Sequence, residues 1–311
     1  MGDRMTTITA ADVKKLRDMT GAGMMDCKTA LTETGGDIEA AVDWLRKKGL
    51  SKAAKKSGRI AADGLIGIVA KGREGAVVEV NSETDFVARN EQFQTLVRDI
   101  TGLAPAAKGD LKSLLAATYP GTKNTVEAQL QEAVATIGEN MTLRRTSALA
   151  VKEGVVADYI HSRVADGLGK IGVLVALESA GDEPTLFEIG RMLAMHVAAA
   201  NPLALDISAV PADVLEREKA ILAEKNQGKK PEMLEKIIAG GMKAFAKENC
   251  LLEQQYIHDT TKTVAQAMKD AEGRAGAPIK VSGYVRYALG EGIDKKEEDF
   301  GEEVRKLASG G

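Results

Sequence analysis

The sequence is poor in the residues that build disulfide frameworks and metal sites. It contains 2 cysteines and 3 histidines among 311 residues. Cys27 and Cys250 lie far apart in the chain, and neither belongs to a spacing typical of a metal site. A disulfide-stabilised scaffold is therefore excluded, and we expect neither a metal nor another cofactor. Unpaired cysteines suit a reducing compartment, so we predict a cytoplasmic protein.

Long apolar runs are also missing. No segment approaches the roughly 18 consecutive apolar residues that a membrane-spanning helix requires, so we expect no membrane association. Asp3 and Arg4 are followed by no apolar segment, which argues against a signal peptide. We expect Met5 to be the natural start, with residues 1–4 as an extension.

An excess of positive charge is absent, and aromatic residues are scarce. The net charge is −3, whereas proteins that bind nucleic acid electrostatically are normally basic, so we expect no direct nucleic-acid partner. Aromatic residues make up only 4% of the chain, so its core must be aliphatic. The 44% of hydrophobic residues is ordinary for a globular protein, and the length suffices for two or three domains.

The stretch at residues 77–90 combines a strand with the start of a helix. Its β-branched residues lead into polar turn formers, and Ser82 or Thr84 can cap the helix that follows. Asp85 and Phe86 then fall in the first helical turn, at a strand-to-helix corner. Either Phe86 is core and Asp85 complements the helix dipole, or both side chains reach into a partner. The residues alone favour the first interpretation.

Two motifs in this order resemble those of the bacterial elongation factor Ts family. The first reads LR at residues 16–17 and TGAGMMDCKTAL at residues 20–31, and the second reads EVN at residues 79–81 and TDFV at residues 84–87. The similarity extends over nearly the whole chain. It implies a nucleotide-exchange factor for the translational GTPase elongation factor Tu. It also implies that Thr84, Asp85, Phe86 and Val87 act beside that GTPase's nucleotide and Mg²⁺ site.

Residues 5–50 predict three short helices, which the resemblance identifies as a module like the ubiquitin-associated (UBA) domain. Thr9 and Asp12 suit a capping box for the first helix, Asp37 suits the N-cap of the third, and Gly49 is expected to end it.

The resemblance also implies contacts between this module and the partner's GTPase domain, made by four residues: Lys14, Arg17, Met24 and Met25. Core packing is the alternative for the two methionines, because methionine fills gaps readily. Adjacent helical residues point about 100° apart, however, so at least one should face outward.

Residues 51–63 are predicted to be a basic linker. Positive charges run through residues 46–59, which is usual for a solvated segment. A nucleic-acid patch is the alternative, but aromatic residues for base stacking are missing there. The resemblance adds Lys56 as a partner contact.

The central part of the chain predicts an α+β core of two related, small sheet-plus-helix subdomains. The first covers residues 64–157, with a hairpin whose turn spans residues 71–75. The second covers residues 158–210 and 273–311. A glycine-containing apolar segment at residues 64–69 is echoed at residues 169–175, which suggests an internal repeat.

Within the second subdomain, His196 lies on an alanine-rich helix. A lone histidine in such a place is more often packed or hydrogen-bonded than catalytic. The resemblance gives it a partner-facing, non-catalytic role.

Residues 211–249 predict a protruding, antiparallel helical hairpin, and residues 250–272 a C-terminal helix module. The hairpin or the core could mediate a homodimer or a 2:2 complex with the GTPase.

Enzymatic motifs are missing from the sequence. It has no phosphate-binding Gly-x-x-x-x-Gly-Lys-Ser/Thr loop, no nucleophile elbow and no His-Glu-x-x-His helix. We therefore expect no catalytic residues and a protein that acts by binding. The alternative to an exchange factor is a non-enzymatic UBA-type or ribosome-associated adaptor.

Overall fold

The computed structural model describes residues 8–20 and 22–294. Outside these residues lie the predicted extension at residues 1–4, the start of the first module at residue 5, Gly21 between the first two predicted helices, and the end of the second subdomain (residues 295–311). Helices followed by antiparallel sheets confirm the α+β class.

Three helices form the N-terminal unit: α1 (Ala10–Thr20), α2 (Met24–Glu33) and α3 (Ile38–Lys56). The Thr9 N–H donates to Asp12 Oδ2 at 3.0 Å, and the Asp12 N–H donates to the Thr9 hydroxyl at 3.2 Å. Asp37 accepts from the Ala40 N–H at 3.0 Å at the start of α3. Both predicted caps are therefore confirmed.

The first sheet unit follows, with the elements β1 (Asp63–Lys71), β2 (Glu74–Ser82), α4 (Asp85–Ala88), α5 (Glu91–Ala107), α6 (Leu111–Ala116), α7 (Val126–Ile137) and β3 (Met141–Ala150). The predicted turn at residues 71–75 is wrong, because Lys71 pairs with Glu74 and only Gly72 and Arg73 remain in the turn. Gly72 has φ +60°, which glycine adopts without strain.

The expectation that Gly49 ends the third helix is also wrong. Helix α3 continues to Lys56, so about half of the predicted linker is helical. It packs against α7, and a Cβ at Gly49 would lie 3.0 Å from the Ala135 Cβ. Gly49 therefore permits close contact between two helices, and this contact offsets its low helix propensity.

The rest of the described chain contains β4 (Gly154–His161), β5 (Leu168–Gly169), β6 (Ile171–Glu178), α8 (Glu183–Ala200), a short 3-10 helix (Ile207–Ala209), α9 (Ala212–Lys225), α10 (Pro231–Asn249), β7 (Gln255–Tyr256), β8 (Asp259–Thr263), α11 (Val264–Ala275) and β9 (Lys280–Ala288). Of these, β5 pairs with β1 of the first sheet, and β4, β6 and β9 form the second sheet. In the two main sheets the strand order is β3-β2-β1-β5 and β4-β6-β9, and β7 and β8 form a separate two-stranded sheet. The segments of the suspected repeat, β1 and β6, are thus an inner strand of each sheet.

Two details differ from the predicted division of the core. Strand β4 crosses the predicted boundary at residue 157 and belongs to the second sheet. Residues 250–272 do not pack separately either, since Val264 and Met268 of α11 share a buried cluster with α8 and β6. The pairing of β4 and the burial of α11 depend on partners distant in sequence, which local patterns do not reveal.

The two sheets pack face to face, with helices on their outer faces. Leu65 of β1 packs in the cluster beneath α5, whereas the next residue, Ile66, packs between the sheets. Likewise Leu174 of β6 faces the first sheet and Val175 faces α8. This alternation explains why the inner strands read as continuous apolar runs.

The predicted antiparallel hairpin is formed by α9 and α10. None of the residues of α9 is buried, and Ala246 is the buried residue of α10. A Cβ at Gly241 would lie 2.5 Å from Leu222 Cδ1, so glycine allows the two helices to approach closely. Self-association through this hairpin stays a prediction.

One buried carboxylate joins the two sheets. Glu79 of β2 is 0% exposed and pairs with Arg144, at 3.1 Å, and with Arg145. It also accepts the Gly290 N–H at 2.8 Å and the Asn81 amide at 3.1 Å. Because Gly290 follows β9, this side chain connects the first sheet to the end of the last strand of the second.

The charge state of Glu79 follows from these contacts. Burial by itself raises the pKa of Glu79, but the hydrogen bonds from Gly290, Asn81 and Arg145 outweigh it and hold the pKa below its ordinary value. Its contribution to stability is therefore present above the unfolded-state pKa of about 4.3 and is lost as the pH falls through the folded-state pKa.

We predict that Glu79→Ala lowers the free energy of unfolding by about 3 kcal/mol, because two guanidinium groups lose their buried partner. Glu79→Gln should remove the part of the acid sensitivity that this carboxylate supplies. Urea unfolding between pH 3 and pH 7 measures both effects. The control is Glu74→Ala at the exposed end of the same strand, and equal losses from the two alanine variants would contradict the prediction.

Candidate partner-binding site

Phe86 stands out from the surface at the corner after β2. Its side chain is 75% exposed, whereas Val87 and Ala88, next in the same helical turn, are 6% and 5% exposed. The interpretation that Phe86 belongs to the core is therefore wrong. Val87 was predicted to contact the partner, but its side chain packs in the core beneath α5 and anchors the turn.

The helix after the corner is split in two, contrary to the single helix that the sequence suggested. Helix α4 has 4 residues, and Asn90 then caps α5 by accepting the Gln92 and Phe93 N–H groups. The predicted side-chain capping by Ser82 or Thr84 is wrong. The Ser82 hydroxyl donates to the Thr84 carbonyl at 3.0 Å, and Thr84 makes no side-chain cap.

Thr84 is held instead by a residue far along the chain. Glu139 accepts the Thr84 N–H at 3.0 Å and the Thr84 hydroxyl at 2.7 Å. In the opposite direction, Glu83 accepts the Asn140 N–H at 2.6 Å. The corner is therefore bonded to the turn between α7 and β3.

Asp85 lies beside Phe86 and remains partly accessible. Its side chain is 48% exposed and pairs with Arg89 at 3.5 Å. Exposed pairs of this kind contribute little stability, so a competing partner can separate them at small cost.

The predicted residues of the N-terminal unit lie on its outer surface. Met24 and Met25 are 56% and 73% exposed, and Lys14 and Arg17 are exposed on α1. Both methionines thus face outward. Met19, 59% exposed, was not singled out from the sequence. It lies near the end of α1, and no local sequence pattern indicated that it is exposed.

Lys56 is turned toward its own chain. Its Nζ donates to the Gly138 carbonyl at the end of α7. This internal bond holds the end of α3, and the contact of Lys56 with a partner stays a prediction.

His196 is fully buried, which differs from the partner-facing position expected for it. Its Nδ1 accepts the Ile257 N–H at 3.3 Å, so Nε2 carries the proton donated to Gln254 Oε1 at 3.0 Å. Burial lowers the pKa of His196, and the Gln254 bond opposes this only in part. The ring is therefore neutral at pH 7 and supports the loop at residues 254–258.

That loop carries an exposed apolar residue that sequence reasoning missed. Ile257 is 42% exposed, and Met192 of α8 is 40% exposed. His258 Nε2 lies 3.0 Å from the Met192 carbonyl, which keeps the loop and the helix together. No pattern in the sequence brings residues 192 and 257 together.

Neither a metal site nor a membrane-spanning helix occurs in the part of the chain that the structure describes. No group of three or more His, Cys, Asp or Glu side chains there could hold a metal ion. None of the described helices is long and apolar enough to cross a membrane.

Exposed apolar side chains held on rigid elements are typical of proteins that act by binding another protein. A family model described as "Elongation factor TS" matches residues 83–291. The elongation factor Ts of Methylobacterium nodulans is 61% identical over 307 residues, which cover 98% of this chain and 100% of the relative. That of Nitrobacter hamburgensis is 59% identical over 309 residues, covering 99% and 100%.

The chain therefore belongs to the elongation factor Ts family, and it is a translation elongation factor that takes part in protein biosynthesis. The family resemblance found in the two sequence motifs is confirmed.

We predict that Phe86 and Phe93 respond very differently to truncation. Phe93 is 0% exposed, so Phe93→Ala should cost about 3–5 kcal/mol of unfolding free energy. Phe86→Ala should cost less than about 1 kcal/mol, because a ring in solvent leaves no cavity. Chemical unfolding of the two variants measures the contrast. Similar losses would mean that Phe86 is packed in solution.

Proposed function

We propose that this chain promotes GDP release from the translational GTPase elongation factor Tu, with Phe86 and Asp85 acting beside the nucleotide. The observation that carries the proposal is the exposed ring of Phe86 on a turn that buried Val87 anchors on one side and the Glu139–Thr84 bonds hold on the other. An exposed aromatic ring on a fixed turn can displace a partner's side chains at a lower ordering cost than a ring on a mobile segment.

The chemistry of exchange is a coupling of binding equilibria. A GTPase holds GDP through backbone amides, a lysine and Mg²⁺. An apolar ring pushed beside that site moves the groups that hold the ion, and a carboxylate such as Asp85 competes with phosphate for positive charge. A factor that binds the nucleotide-free form more tightly must lower GDP affinity, and GDP must lower the factor's affinity by the same ratio. No bond is made or broken by this chain.

The remaining predicted residues supply binding area or support. Lys14, Arg17, Met24 and Met25 offer cations and flexible apolar side chains on one unit, and methionine adapts readily to a partner surface. Thr84 and Val87 hold the corner itself. Lys56 holds α3, and His196 acts indirectly, by supporting the loop that presents Ile257.

The exchange proposal predicts that the wild-type chain accelerates release of fluorescent GDP from elongation factor Tu in stopped-flow measurements. Phe86→Ala should lower the release rate at saturating factor at least about tenfold, equivalent to about 1.4 kcal/mol, and Asp85→Asn should lower it less. The control is Met233→Ala, which truncates an exposed residue on the helical hairpin. A wild-type chain without effect on GDP release would refute the proposal.

The N-terminal methionines should affect a different parameter. We expect Met24→Ser combined with Met25→Ser to raise the half-saturating factor concentration several-fold, because contact area is lost far from the nucleotide. The release rate at saturation should change little, since the ring at position 86 is intact. The same titration measures both parameters, and a lower saturating rate with unchanged half-saturation would contradict this assignment.

A further inference from the structure

We propose that Glu139 is a positioning residue that holds Phe86 in its exposed orientation, an inference that rests on the proposed exchange function for its consequence. Glu139 lies in the turn between α7 and β3, 53 positions along the chain from Phe86. Its carboxylate takes both hydrogen-bond donors of Thr84, the residue that begins α4.

Helix α4 needs such external support because it is a single turn. One turn fixes several backbone angles for very few hydrogen bonds, so it is unstable by itself. At its C-terminal end, the Arg89 and Asn90 N–H groups donate to the Phe86 and Val87 carbonyls at 3.1 and 2.9 Å. At its N-terminal end, the Thr84 side chain makes no cap. The bonds to Glu139 hold that end.

Packing does not hold the Phe86 ring. With three quarters of the side chain in solvent, the direction of the ring is set by the backbone beneath it. Val87 and Ala88 fix the far side of the turn in the core. Without Glu139, the Thr84 N–H and hydroxyl lose their acceptor, while the Ser82 hydroxyl still bonds to the Thr84 carbonyl. The start of α4 is then held more loosely, and Phe86, two residues on, samples several directions. Charge-assisted hydrogen bonds are about twice as strong as neutral ones, so this carboxylate holds the turn more firmly than a neutral group would.

The fold does not depend on this bond in the same way. The Glu83–Asn140 bond still joins the corner to the turn, and the Asn140 amide still donates to the Arg59 carbonyl at 2.7 Å. Lys56 still donates to the Gly138 carbonyl. Loss of the Glu139 carboxylate therefore loosens the start of α4 while the turn itself stays attached to β2 and α3.

The test compares Glu139→Ala with Glu139→Gln. The glutamine can still accept the Thr84 N–H and can donate to the Thr84 hydroxyl, so it restores the geometry without the charge. The control is Glu132→Ala, which removes an exposed carboxylate of α7. Each variant is assayed by GDP release from elongation factor Tu as a function of factor concentration, and by thermal melting.

We expect Glu139→Ala to lower the GDP-release rate at saturation about tenfold, a change of about 1.4 kcal/mol, with a much smaller change in half-saturation. Glu139→Gln should recover most of the rate, and Glu132→Ala should match the wild type. A Glu139→Ala variant with the wild-type saturating rate would overturn the inference. If Glu139→Ala melts far below the wild type, the test uses Thr84→Val instead, which removes only the hydroxyl bond. We then expect a smaller fall in the GDP-release rate.

A second readout does not involve the GTPase. With 4-fluorophenylalanine installed at position 86, the ¹⁹F signal of the isolated protein should narrow and move toward the random-coil shift in Glu139→Ala, and stay near the wild type in Glu139→Gln. An unchanged signal in Glu139→Ala would overturn the positioning role, whatever the exchange assay shows. A changed signal with a wild-type chain that never accelerates GDP release would retain the positioning role and refute the exchange function instead.

Discussion

The buried Glu79 carboxylate is the constraint on which the arrangement of the two sheets depends. A charge removed from water must be fully paired, and the partners that pair it come from β3 and from the turn after β9. Those partners meet at Glu79 only when the two sheets are correctly placed. The same strand, β2, ends three residues later at the corner that carries Phe86. Fixing the two sheets therefore also fixes the corner that carries the exposed Phe86 ring.

A second property of the molecule is the use of carboxylates as connectors between distant segments. Glu83 and Glu139 bond the corner after β2 to the turn before β3, and these two segments flank neighbouring strands of one sheet. Because each carboxylate accepts backbone N–H groups, the connection holds main chain rather than only side chains. This matters for a protein that works by presenting a ring, because the ring can be no better placed than the backbone beneath it.

Local sequence signals were reliable wherever the structure depends on neighbouring residues. The caps at Thr9 and Asp37 and the helical hairpin all follow from spacing and residue type. Gly49 and the turn after Lys71 were misread for a different reason. A glycine can end a helix or allow close contact with another helix, and the choice depends on whether a partner such as α7 lies opposite.

The sequence by itself determined the α+β class, the family and the identity of the corner residues, because these reside in residue types and their order. Only the tertiary structure decided which side of the corner faces solvent. It exposed Phe86 and buried Val87, and it turned Lys56 and His196 inward toward partners 82 and 61 positions away. Burial depends on what packs opposite a residue, and for this chain the opposing elements are brought together by sheet pairing over long sequence distances.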